Sequence, residues 1–215
     1  MKSKFFLAAA FSLSVFFISC LPQISIKAGQ NDDATILFST GFSKSTAATL
    51  RSVAGADENA ELFNKDDVIM LLKSAGAVNT SASLPSPTEI ATEGTLPDLS
   101  KHPLSTTGLI KKSGKSLTLT LGARQISAFY GLLDEDAQSY LDLMMIPALI
   151  GEKMTVSEYR DLLASLYGPV FADEIVNGKL TISLSSPDGK KTLKETISLG
   201  DLLTTSEEKS WTLNF

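Results

Sequence analysis

The sequence predicts an α+β protein, an antiparallel or mixed sheet packed against a block of helices, and three stretches carry that prediction. Leu117 to Leu121 reads Leu-Thr-Leu-Thr-Leu, the period of two that marks a half-buried strand. Leu180, Ile182 and Leu184 repeat the pattern, and Pro187-Asp-Gly-Lys190 follows as a turn. Between them, Thr155-Val-Ser-Glu158 is a capping box, opening a segment where Tyr159, Leu162, Leu163 and Leu166 recur at helical spacing. Strands and helices fall in blocks rather than alternating one by one, which is the α+β order.

Taken in chain order, residues 20–33 read as a polar tether ending in Gln30-Asn-Asp-Asp33. A single domain is expected over 34–215. Ala34 to Thr40 is apolar and β-branched, so it reads as a buried strand that Gly41 breaks. Ser43 can cap a helix carrying Ala47, Leu50 and Val53, with Gly55 at its end. Asn64 is the N-cap of the next helix, because Asp66 and Asp67 then face the positive end of its dipole. Phe63 can staple onto Val68, the stripe continues through Leu71 and Leu72, and Gly76 terminates it.

Prolines at 85, 87, 97 and 103 set off the Ser/Thr-rich stretch that follows. That density argues against helix and central strand, leaving short edge strands and loop, or else a flexible linker. Leu109 to Lys112 should pair with Leu117–Leu121 across Ser113-Gly114. A long helical block then begins. Ile126, Phe129, Tyr130 and Leu133 share one face, and Asp134 opens a helix with Tyr140, Leu141, Met144 and Met145 inward until Pro147. Gly168-Pro169 closes the capping-box helix, and a shorter helix reaches Asn177-Gly178. Leu193 to Leu199 returns as a strand, and Trp211, Leu213 and Phe215 alternate as an edge strand.

The N-terminus carries the sharpest functional signal. Lys2 and Lys4 precede an apolar run from Phe5 to Ile18, and Ser19 and Cys20 follow it. Basic residues, an apolar core and small residues are the parts of an export signal over residues 1–19. The run is shorter than the ~20 apolar residues that span a bilayer. Phe17-Ile-Ser-Cys20, through Ser19 and Cys20, resembles the lipobox of bacterial lipoproteins. That resemblance implies cleavage before Cys20, acylation of its thiol, and a membrane partner held through the N-terminal lipid. Leu21 is not the aspartate that retains enteric lipoproteins at the inner membrane, so by resemblance the address leans to the outer membrane, facing periplasm or surface.

Cys20 is the one cysteine in the chain, so no disulfide within it is available and the domain must hold by packing. The net charge is −5, which argues against nucleic acid as a partner. Apparent chemical motifs weaken on inspection. Gly108 to Ser116 is one residue too long for a P-loop, and a strand follows where the phosphate cradle needs a helix, so it reads as a hairpin turn with solvated lysines. Asp57-x-Asn59-x-Glu61 lacks the Gly and the closing Glu of a calcium loop. Asp134-Glu-Asp136 is the ordinary acidic start of a helix. His102 is the one histidine and reads as an exposed loop residue.

No cofactor, metal site or catalytic residue is expected. The expected function is a non-catalytic binding or structural domain of a lipid-anchored envelope protein, with a protein or lipid partner there. The alternative is a carrier of lipid or another apolar ligand, and a hydrolase using distant carboxylates is a third reading. The candidate lipid- or ligand-facing residues are Tyr140, Met144, Met145, Ile146 and Leu149, in the most apolar stretch after the leader. Their structural alternative is the buried end of a core helix.

Overall fold

The computed structural model describes residues 22–133, 135, 138, 142, 146–150, 152–205 and 207–215. The fold is α+β. A six-stranded mixed sheet has the order β3-β4-β2-β1-β7-β8, with β1 Gln23–Ala28, β2 Ala34–Gly41, β3 Val78–Ser86, β4 Glu89–Leu96, β7 Lys179–Ser185 and β8 Thr192–Ser198. A three-stranded sheet has the order β5-β6-β9, with β5 Ile110–Ser113, β6 Ser116–Leu121 and β9 Lys209–Asn214.

Strand β1 overturns the expected tether. Its alternation places Ile24, Ile26 and Ala28 on one face, and it pairs antiparallel with β2 and parallel with β7. A segment paired on both sides is a structural strand, so any tether ends at Pro22, whose carbonyl already accepts from the Thr181 amide at 2.9 Å.

Pro87 and Pro97 flank a strand, Pro85 lies near the end of an edge strand, and Pro103 starts a helix. β4 fits between Pro87 and Pro97 and is an interior strand, contrary to the edge expected for this region, while the Pro85-containing β3 is an edge with register shifts. Pro103 occupies the first turn of the short helix α3 (Pro103–Thr106), where its missing N–H costs nothing.

The N-caps expected at Ser43, Asn64 and Thr155 form, while the helix start expected at Asp134 lies outside the described residues. Ser43 accepts from Thr46 N at the start of α1 (Lys44–Ala54), and Asn64 accepts from Asp66 N at the start of α2 (Lys65–Ser74). The Thr155–Glu158 box closes both of its bonds on α6 (Val156–Tyr167), and the Thr155 amide and then its hydroxyl, both donating to the Glu158 carboxylate, hold that carboxyl below its ordinary range. α4 (Ala123–Tyr130), α5 (Pro147–Ile150) and α7 (Pro169–Asn177) also belong to the helical layer. The expected last long strand stops at Ser198, which caps α8 (Leu199–Thr204) by accepting from Asp201 N. That helix buries Leu199, Leu202 and Leu203.

Two hydrophobic clusters result. One, among α1, α2, α6, α7 and α8, centres on Leu50, Phe63, Tyr159, Leu163 and Ile175. The other lies between the two sheets and contains Ile26, Leu96, Leu117, Leu119, Ile182 and Leu202. Helix α2 serves both, with Leu71 in the first and Leu72 in the second, and Phe129 of α4 packs against each.

His102 departs from its expected exposure. It is buried at 4 % exposure and caps α3: Nδ1 accepts the Leu104 amide at 3.2 Å, and Nε2 lies 3.2 Å from the Gly76 carbonyl. An amide only donates and a carbonyl only accepts, so Nε2 is the protonated nitrogen. Gly76 (φ +91°) is required here twice over, because a Cβ on it would come within 2.8 Å of His102 Nε2. Replacing His102 by Ala strands the buried Leu104 amide and should cost about 1–3 kcal/mol in chemical denaturation. His102→Asn, which restores an N-cap acceptor, should recover part of that. An unchanged midpoint for His102→Ala would show that the bridge between α3 and the end of α2 contributes nothing to stability.

Candidate functional site

Four residues singled out in the sequence, Cys20, Tyr140, Met144 and Met145, lie outside the described residues, as does Leu141. Ile146 is enclosed at 1 % exposure in the helical cluster, and Leu149 is half-buried against the same cluster. The described end of that apolar stretch is therefore core.

A different apolar feature stands out. Between the inner face of the six-stranded sheet and the three-stranded sheet lies a cavity of about 100 Å³. β1 and β2 form its floor with Ile24, Ile26, Ile36 and Phe38. α2 contributes Leu71, Leu72 and the following Ala75 and Ala77, and β5 and β6 contribute Ile110 and Leu119. Phe129 of α4 and Leu109 complete the wall.

The floor follows from strand period. Ile24 sits opposite Phe38 and Ile26 opposite Ile36, so alternate residues of two paired strands present one continuous apolar surface. Thr92 is the one polar side chain in the lining, and its hydroxyl donates to the Phe38 carbonyl at 3.2 Å. No lining side chain carries charge. The titratable groups with shifted protonation lie elsewhere. Desolvation, helped by neighbouring Asp66, raises the Asp67 carboxyl in the first turn of α2. Burial, then the nearby Tyr167, pushes the Tyr159 phenol above its usual range in the helical core.

Chemically, such a space recognises shape and apolarity alone. An apolar cavity of roughly 150 Å³ stays dry and takes a benzene-sized guest. A cavity of about 100 Å³ therefore has room for a few methylenes or the end of a longer chain. Ile24, Ile36, Leu109 and Phe129 are only half-buried, so the lining reaches the surface on their side.

Sequence reasoning missed this site because half its floor lay in the presumed tether. The Ile24, Ile26, Ala28 alternation, mirrored by Ala34, Ile36 and Phe38 across a short polar turn, is the hairpin signal that could have revealed it. No family model, curated protein or solved structure matches this chain.

Proposed function

We propose that this chain is a lipid-anchored bacterial envelope protein whose domain binds an apolar ligand without catalysis. The cavity carries the ligand half of the reading: its lining offers methyl and aromatic surface, and its one hydroxyl is already engaged by the chain itself. A ligand entering there places an apolar end inside and leaves any polar end at the half-buried rim. Carriage of a lipid or a similar molecule fits that division.

The anchoring half rests on the leader, on Ser19-Cys20, and on the start of β1 at Gln23, three residues after Cys20. With acylated Cys20 held in one leaflet of a membrane, the start of β1 stands at the bilayer surface, so a ligand would leave or enter lipid close to the domain. The outer membrane is the preferred location, by the resemblance carried at Leu21.

Binding is tested with an environment-sensitive apolar fluorophore displaced by medium-chain fatty acids. Saturable binding is expected, and Ala75→Leu, which grows a side chain into the space, should weaken it on the order of 10- to 100-fold, as expected for excluding two or three methylenes at ~0.8 kcal/mol each. Absence of saturable binding, or an unaffected Ala75→Leu variant, would sink the ligand reading. Anchoring is tested separately by detergent phase partitioning. The wild type should enter the detergent phase and Cys20→Ser the aqueous one; both remaining aqueous would remove the lipid.

A further inference from the structure

Three turns meet at the end of the sheets remote from the entry of β1. The β1–β2 turn contributes Gly29 and Gln30, the β5–β6 hairpin Lys112, Gly114 and Lys115, and the β7–β8 turn Asp188, Lys190 and Lys191. They enclose a cleft of about 520 Å³, in the ~300–1,000 Å³ range of small-molecule sites. In a chain of net charge −5, four lysines from two separate hairpins converge on it.

The fixing of these cations points to use. Lys112 Nζ donates to the Gly29 carbonyl at 2.9 Å and to the Asn31 carbonyl, and Lys191 Nζ donates to the Asn214 carbonyl at 3.3 Å. Neutral carbonyls position both ammonium groups without cancelling their charge, and each keeps N–H donors to spare. The one carboxylate side chain in the lining, Asp188, is engaged by the Ser186 hydroxyl at 2.7 Å and the Lys190 amide at 3.1 Å, with Lys190 Nζ 3.8 Å away. Asp32 attracts Lys112 from outside the lining, but its carboxylate accepts the Ser100 amide at 2.9 Å. The balance in the cleft is therefore positive.

We propose that this cleft binds a phosphate group, borne by a small soluble molecule or by a lipid headgroup. Lysine ammoniums are compact point charges that can approach a tetrahedral oxyanion from several sides, and four of them line this cleft. The Gly108–Ser116 segment fails as a P-loop, yet two of its lysines serve the same class of anion from a hairpin. Position narrows the source. The six residues of β1 hold the cleft ~20 Å from Gln23, so under the proposed anchoring it faces away from the bilayer that holds Cys20.

The experiment uses residues 20–215 carrying Cys20→Ser, so that neither the apolar N-terminal run nor an N-terminal lipid can itself insert and the result is independent of the anchoring reading. Inorganic phosphate is titrated by calorimetry, and vesicles of phosphatidylglycerol are compared with vesicles of phosphatidylcholine by sedimentation. Saturable binding to phosphate, or to the phosphatidylglycerol vesicles alone, is expected, identifying a soluble or a headgroup source respectively. Adding Lys115→Glu with Lys190→Glu, both exposed positions, should weaken it about tenfold or more, and salt at about 0.5 M should weaken it as well. Lys112→Gln is the second variant, removing a held ammonium while keeping a donor, and it should also weaken binding. Ala75→Leu should leave it unchanged, which separates this site from the apolar cavity. Saturation by neither probe, or binding indifferent to both lysine variants, overturns the proposal.

Discussion

The pairing of β1 on both of its edges is the constraint on which the rest depends. Residues 23–28 connect β2 on one side with β7 on the other, antiparallel to the first and parallel to the second. Without this strand the six-stranded sheet would be two unconnected halves, β3-β4-β2 and β7-β8. Ile26, fully buried, would be missing from the inter-sheet core, and the apolar cavity would lose half its floor. The two ends of β1 also define the poles of the molecule: the chain enters at one, and the turns bearing the lysine cleft gather at the other.

The helical layer is tied to the same framework by a charge. Glu174 of α7, only 8 % exposed, accepts the Ser43 amide at 2.8 Å and the Ser43 hydroxyl as well. A carboxylate at that point meets the positive end of α1 and satisfies an amide that the helix leaves unpaired. It also sets α1 against α7 just where β2 hands over to the helices. His102 has a comparable role on the sheet side, joining α3 to the end of α2. Both are buried polar groups that act as fasteners because each has its partners.

What could be read from the sequence divides along the range of the interaction. Caps at Ser43, Asn64 and Thr155 were legible because a side chain and the amide it accepts lie within three residues of each other. The β5–β6 hairpin was legible for the same reason, with Ser113 opposite Ser116 across two residues. β1 was not, since three alternating apolar residues just after an apolar N-terminal run in the sequence look like a tether until β7 arrives to pair with them. His102 and Glu174 were not, because Gly76 and Ser43 are remote in sequence. α8 was hidden by Ser198, which ends a strand and caps a helix at once. Neither cavity nor cleft has a local signature, because side chains from several distant elements line each of them.

The parallel seam between β1 and β7 also governs when the molecule can become itself. Ile24 stands opposite Ile182, so the first strand to emerge waits for nearly the last before its second edge is filled. Contacts of such long separation close late and slowly, because the loop entropy is lost before the contact returns anything. The hairpins and capped helices can form early, while the sheet that unites them stays open until most of the chain is present. Under the export proposed above, that order would suit a chain threading a translocation channel unfolded, since its amino-terminal segment has no complete fold to adopt until the carboxyl-terminal strands are present.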